Sequence, residues 1–217
     1  MTASDPDVAP ARRPRDAQAT RARILRAASQ EFARLGFAGA RGERIAQRDR
    51  SSERMLYYYY GSKEGLYRAV LEAAYLGLRQ AERTLELDAL APQAALAHFC
   101  RFVWRFYAEH PEFIGLVNAE NLAQARHLRR SGQLAELALP VVEQLRALLA
   151  RGLAAGVFRA GIDPVELYIA VASLGYFYLS NAHTLSAVLG RNLKDPPQLE
   201  SHWAASEDMI LRFVSAR

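Results

Sequence analysis

Residues Ile24 to Glu72 read ILRAASQEFARLGFAGARGERIAQRDRSSERMLYYYYGSKEGLYRAVLE. Ile24, Ala28, Phe32 and Leu35 recur at the spacing of one helical face, on a helix that starts near Asp16, and Gly36 stands where a C-cap is expected. A short helical segment follows around Glu43–Arg48. Ser51 or Ser52 is placed to N-cap a second short helix, which runs to about Tyr60. Gly61-Ser62 breaks the chain again, and Ser62 is placed to cap a longer helix from Lys63 to about Leu87. Short helices of this kind are unstable alone and need a third to pack on. The segments near 16–36, 43–49 and 52–60 supply a three-helix unit the size of a helix-turn-helix domain.

The second short helix carries four consecutive tyrosines, Tyr57–Tyr60. At about 100° per residue they cannot share a face. With Leu56 and Tyr60 turned to the core, Tyr57, Tyr58 and Tyr59 must include exposed rings. Aromatic hydroxyls beside Arg50 and Arg54 suit phosphate and groove contacts. The next helix opens with Ser62-Lys63, which joins free backbone N–H groups to a cation and suits phosphate.

The charge is placed to match. Residues 1–70 hold 14 Lys+Arg against 8 Asp+Glu, and the remainder holds 14 against 15. The basic excess therefore sits wholly in the first third, as a polyanion-binding module requires. Residues 1–15, rich in Pro, Ala, Asp and Arg, read as a disordered basic arm. With 51% hydrophobic residues the chain has material for a packed core. No apolar run is long enough to span a membrane, and the first residues lack the apolar stretch of a secretory signal. The single cysteine, Cys100, excludes an internal disulfide. A cytoplasmic protein is expected.

Beyond residue 72 the pattern stays helical. Pro92 opens a helix with Phe99, Phe102, Val103 and Phe106 on its face, ended by His110-Pro111. Helical stretches at Phe113–Arg130 and Leu134–Ala155 follow, with Pro140 as a kink or fresh start, then a turn at Gly156 and Gly161. Asp163-Pro164 starts a helix, Val165–Leu179, that is apolar nearly all round. Such a helix must be covered on every side, by its own core and by another subunit. After a break at Lys194–Pro197, Trp203, Ile210 and Phe213-Val214 mark the last helix. The fold class is all-α, with about nine helices by this periodicity. Its division is an arm at 1–15, a helix-turn-helix domain at 16–62 and a helical domain at 63–217.

The run from Ile24 to Glu72 resembles the N-terminal domain of tetracycline-repressor (TetR) family transcriptional regulators. The resemblance rests on Ile24-Leu25 with Ala27-Ala28, Phe32, Gly36-Phe37, Gly39, Ile45-Ala46, Ser52, Leu56-Tyr57-Tyr58-Tyr59, Ser62-Lys63-Glu64 and Leu66-Tyr67. It implies a homodimeric, ligand-responsive DNA-binding regulator, usually a repressor. The last two long helices, near 164–180 and 198–214, would form a four-helix interface. A small molecule bound among the central helices would change the spacing of the two recognition helices and release a near-palindromic operator. By position, Arg50, Ser52, Arg54, Met55, Tyr57, Tyr58, Tyr59 and Lys63 are the residues implied to face double-stranded DNA. Tyr58 and Lys63 are assigned to phosphates and Arg54 and Met55 to base edges, since arginine binds guanine in bidentate fashion and methionine contacts a thymine methyl.

The sequence departs from the family pattern around the turn. Asp49-Arg50-Ser51-Ser52 stands where Ala-Gly-Val-Ser is usual. Asp49 lies four residues after Ile45 on the core face, where a carboxylate is costly unless paired. It is expected to swing outward or to pair with Arg48 or Arg50. Arg50 replaces a turn glycine and is strained if φ is positive there. Ala40 and Gly42 replace a capping threonine and an apolar residue, which weakens the start of the first short helix. An alternative function follows from these changes: a helical ligand- or partner-binding protein with an impaired DNA-binding head.

The five histidines are scattered without metal-ligand spacing, and neither a nucleophile elbow nor a phosphate-cradling glycine loop occurs. No metal, cofactor or enzymatic activity is expected. Aromatic residues crowd the helices around Phe99–Tyr107 and Tyr168–Tyr178, suggesting an apolar effector pocket. Its candidate residues are Phe102, Phe106, Val117, Asn121 and Tyr176.

Overall fold

The computed structural model describes residues 14–132 and 134–216. The expected arm lies outside the described residues as far as position 13. Among the described residues there are ten α-helices: α1 (Pro14–Gly39), α2 (Gly42–Asp49), α3 (Glu53–Tyr60), α4 (Lys63–Arg83), α5 (Pro92–Glu109), α6 (Pro111–Leu122), α7 (Leu134–Ala154), α8 (Pro164–Ser180), α9 (Ala182–Leu189) and α10 (Pro196–Val214). No strand accompanies them.

Local chemistry accounts for most of the boundaries. At Gly36 the backbone of α1 leaves helical geometry, with φ 65° and ψ −179°. The Ser62 hydroxyl accepts the Gly65 N–H at 3.0 Å, capping α4. The Asp163 carboxylate accepts the N–H groups of Val165 and Glu166, and Pro164 sets the first turn of α8.

Three boundaries differ from the reading of the sequence. The helix from Lys63 ends at Arg83 rather than near Leu87. Helix α9, after Asn181, was not anticipated. The stretch expected to be helical from Phe113 to Arg130 stops at Leu122, turns through Gln124 and Ala125, both at φ 56°, and ends in a short 3₁₀ turn. The reason is Glu120. Its buried carboxylate accepts the backbone N–H groups of His127 and Leu128, each at 3.1 Å, and pairs with the His127 ring at 2.8 Å. These contacts offer the backbone an alternative to continuing the helix.

Two apolar cores result. The first joins α1 to α4 around Ile24, Phe32, Ile45, Leu56, Leu66 and Tyr67. The second joins α4, α5, α7, α8 and α10 around Leu78, Phe99, Trp104, Leu145, Leu167 and Ile210. Helix α4 runs through both, with Val70 and Leu71 in the first and Leu78 in the second. Helix α6 braces α1 from the other side, and Gly115 permits it. A Cβ there would run into the Ala33 carbonyl oxygen, so only glycine lets the two backbones approach so closely.

Candidate nucleic-acid interface

Helix α3 is anchored along one face and open on the other. Leu56 is fully buried, whereas Tyr58 is 78% exposed. Ser52 caps the helix, its hydroxyl accepting the Met55 N–H at 3.4 Å. The four tyrosines divide as helical geometry demands. Tyr60 is half-buried, and its hydroxyl donates to the Arg21 carbonyl at 2.9 Å. Tyr58 and Tyr59 meet edge to face with centroids 5.1 Å apart. The Arg21 guanidinium lies 5.5 Å from the Tyr59 ring centre.

Tyr57 is held by its own helix. Its hydroxyl donates to the Glu53 carboxylate at 2.9 Å, and that bond raises the phenol above the ordinary tyrosine value. The same pair explains Gly42. A Cβ at position 42 would collide with the Glu53 carboxylate and crowd the Tyr57 hydroxyl. Helix α2 has no side-chain cap at Arg41, as the loss of a capping threonine at Ala40 implied. The Glu53 carboxylate instead comes close to the first residue of α2, where a negative charge is favourable. Glycine here is the room that carboxylate occupies.

Arg50 takes the left-handed conformation, with φ 55° and ψ 37°. The turn therefore does need the geometry that suits glycine, and Arg50 holds it at some strain. Asp49 neither swings outward nor pairs with Arg48 or Arg50. It is buried, and one carboxylate oxygen accepts from Arg23 Nε of α1 at 3.0 Å while the other has no hydrogen-bond partner among the described residues. The sequence hid this partner because it lies 26 residues upstream.

A second buried carboxylate was missed altogether. Glu31 of α1 is fully buried, with Arg34, Arg44 and Arg48 at 3.6, 3.8 and 3.7 Å. Arg48 also reaches the Gln30 side chain at 3.3 Å. These arginines face solvent on one side and a neutralising anion on the other. By contrast, the exposed Arg54 side chain has no ion pair or hydrogen bond among the described residues. Lys63 stands with its amine 4.9 Å from the Phe37 ring centre, and partial burial lowers it below the usual lysine value.

Arg50, Ser52, Arg54, Met55, Tyr57, Tyr58, Tyr59 and Lys63 thus lie along one stretch of chain, the α2–α3 turn, α3 and the first turn of α4. Ser52 and Tyr57 are already engaged locally. Gln18 and Arg21 of α1 join Tyr58 and Tyr59 around a shallow recess, a contribution the sequence pattern did not reveal.

Of the candidate pocket residues, Phe102 and Phe106 line a cavity of about 420 Å³ between α1, α4, α5 and α6, whose far wall includes Ser29 and Phe113. Val117, Asn121 and Tyr176 are not among its lining residues. Val117 packs against the second core, and Asn121 donates to the Tyr176 hydroxyl at 3.4 Å. Tyr176 in turn donates to Asn118, which also accepts from Ser180.

Comparison with known proteins adds to this geometry. Residues 24–70 match the family model described as "Bacterial regulatory proteins, tetR family", and residues 92–210 match "Tetracyclin repressor-like, C-terminal domain". The chain is 42% identical over 201 residues to the HTH-type transcriptional repressor NicS of Pseudomonas putida, covering 92% of this chain and 94% of that protein. It is 32% identical over 186 residues to the HTH-type transcriptional regulator RutR of Escherichia coli K12, covering 85% of each. Among solved structures, the putative transcriptional regulator SCO4942 of Streptomyces coelicolor superposes with a TM-score of 0.68 at 26% identity, over 90% of this chain and 98% of that one. The regulator PfmR of Thermus thermophilus does so with a TM-score of 0.65 at 27% identity, over 88% and 97%.

Proposed function

The chain belongs to the tetracycline-repressor family of bacterial regulatory proteins, and from that premise we propose that it is a cytoplasmic, ligand-responsive repressor that binds a near-palindromic operator as a homodimer. One observation carries the reading: α3 is held on its inner face by Leu56 and Tyr60 and leaves Arg54 and Tyr58 open to solvent. A helix so placed fits the major groove, and two copies about 34–36 Å apart would meet successive turns of one face of a duplex. In this arrangement Arg54 and Met55 read base edges, Tyr58 and Lys63 grip phosphates, and Arg50, Ser52, Tyr57 and Tyr59 border the contact. The name of the 42%-identical relative favours repression.

The dimer surface is proposed on α8 and α10. Val165, Ile169 and Phe177 of α8 and Met209 and Phe213 of α10 are large apolar residues left exposed. Those of α8 fall on one stripe at helical spacing. The effector is placed in the cavity walled by Phe102, Phe106 and Phe113. That cavity touches both α1 and α4, the two helices that carry the head, so a ligand preferring one arrangement of them shifts the DNA-binding equilibrium.

The test is selection of bound sequences from a random duplex pool, followed by affinity measurements across salt. Steeply salt-dependent binding to an inverted repeat supports the reading. Weak binding that ignores salt and sequence would sink it.

A further inference from the structure

Arg79 and Glu82 lie one turn apart on α4, and both are withdrawn from solvent, at 5% and 1% exposure. Arg79 Nη1 is 2.8 Å from a Glu82 carboxylate oxygen, and Nη2 donates to the Tyr168 hydroxyl of α8 at 2.5 Å. Tyr168 is hydrogen-bonded in turn to Tyr107 of α5. Yet Nη1 and both Glu82 oxygens lack a well-formed hydrogen bond among the described residues. Packing does not account for this, because apolar residues commonly serve a core as well as a buried ion pair does. A buried ion pair whose second Glu82 oxygen has no hydrogen-bond partner among the described residues needs another explanation.

The surroundings supply one. Phe113 forms part of the wall of the 420 Å³ cavity. Its ring also packs against Tyr75 at 5.3 Å and Tyr107 at 5.7 Å between centroids. Phe113, with Phe106 beside it, therefore stands between the cavity and the tyrosines around the ion pair.

We propose that Arg79 and Glu82 form the polar end of the effector site, reached from the cavity by turning Phe113 aside, and that the effector is a small organic carboxylate. The proposal rests on the reading of the chain as effector-controlled. Glu82 is itself a carboxylate against the guanidinium, and it marks the shape the site accepts. Among the described residues Arg79 is the cation acting on it, and a single cation suits a monoanion better than a phosphate dianion. On binding, the incoming carboxylate takes the place of Glu82 opposite Arg79, and Glu82 takes up one proton from solvent. One buried cation faces one buried anion before and after.

The groups that face Glu82 are Arg79 on its own helix, Tyr107 of α5 and Tyr168 of α8. Burial has already pushed the Glu82 carboxyl up to about 7, so the proton is gained readily. Arg79 and Lys63 belong to the same helix, about 24 Å apart at 1.5 Å per residue. A ligand that draws on Arg79 thus acts on the helix that enters the head.

The test is calorimetric titration of the full-length protein with acetate, butyrate and benzoate, each against its primary amide. It is run at pH 6 and pH 8 in two buffers of different ionisation enthalpy. At least one carboxylate binds and releases DNA, about tenfold more tightly at pH 6 than at pH 8, as a carboxyl titrating near 7 requires. Its amide does not bind, and the buffer comparison shows about one proton taken up at pH 8. Arg79→Gln abolishes binding, and Glu82→Gln keeps it while removing the pH dependence. Should either variant fail to fold, the proton count on the unaltered protein still decides. Failure of all three carboxylates, equal binding of the amides, or affinity indifferent to pH overturns the proposal. Salt-dependent DNA binding by the ligand-free protein, measured alongside, separates that outcome from failure of the regulator reading.

Discussion

Arg23 of α1 donates from Nε to a carboxylate oxygen of Asp49 at 3.0 Å, tying the first helix to the last turn of α2. The two partners differ in burial. The Asp49 side chain is closed to solvent, and that of Arg23 is half open. Removing the arginine leaves a buried anion alone, whereas removing the aspartate leaves a cation that water can reach. Arg23→Ala is therefore expected to destabilise the protein by about 1–3 kcal/mol, and Asp49→Ala by well under that. Urea denaturation of both variants checks the order, and an equal loss in the two would refute it.

Arg54 and Lys63 are expected to fail differently. Lys63→Ala should weaken binding about uniformly across sequences and lower the salt slope by about 1. Arg54→Ala should cost roughly 1–3 kcal/mol and relax preference at one base pair. Affinity for a selected site and its single-base variants distinguishes them. Unchanged preference in Arg54→Ala would remove Arg54 from base reading.

Glu53, Tyr57 and Gly42 form one unit. In Gly42→Ala the new methyl displaces the Glu53 carboxylate, and Tyr57 loses the bond that raises its phenol. The Tyr57 hydroxyl should then titrate at lower pH, nearer the ordinary tyrosine value, followed by ultraviolet titration against a Tyr57→Phe control. The raised phenol adds stability that is present below the unfolded value and lost as pH climbs through the folded one. Gly42→Ala should accordingly lose less stability at strongly alkaline pH than the parent.

Glu82 makes the ligand-free protein pH-dependent in a definite direction. Its carboxyl is raised from 4.5 to about 7, so the folded state binds that proton more tightly than the unfolded chain does. The stabilisation is full below 4.5 and lost as pH rises through 7. Glu82→Gln carries no such dependence. Relative to the parent it should gain stability between pH 5 and pH 8, by up to about 3 kcal/mol at one pKa unit per 1.36 kcal/mol. Denaturation of both proteins at several pH values measures the difference, and a constant gap would contradict it.

Phe177 on α8 is 60% exposed. If α8 and α10 form the dimer surface as proposed, Phe177→Asp should shift the protein toward monomer in sedimentation experiments, because a charge placed in that apolar surface is left unpaired. A dimer of undiminished stability would move the interface elsewhere.

The features that were legible in the sequence are those whose causes are local. Ser52, Ser62 and Asp163-Pro164 each act on backbone within a few residues and mark helix starts, whereas Gly36, expected to end the first helix, kinks α1, which runs on to Gly39. Leu56 and the tyrosine run divide between core and surface as helical periodicity requires. What stayed hidden depends on distant partners. The end of α6 is set by Glu120 capturing groups seven and eight residues on. The place of Asp49 is set by Arg23, and Glu31 lies buried where α2 brings Arg44 and Arg48 over it. Of the residues expected to share a pocket, Phe102 and Phe106 line one cavity, whereas Asn121 and Tyr176 bond to each other.

The ring of arginines around Glu31 bears on how the head meets a polyanion. Arg34, Arg44 and Arg48 share one internal anion, and Arg23 answers Asp49. Their field is partly cancelled before any duplex approaches. A tally of basic residues therefore overstates the net positive charge that this head presents to a duplex.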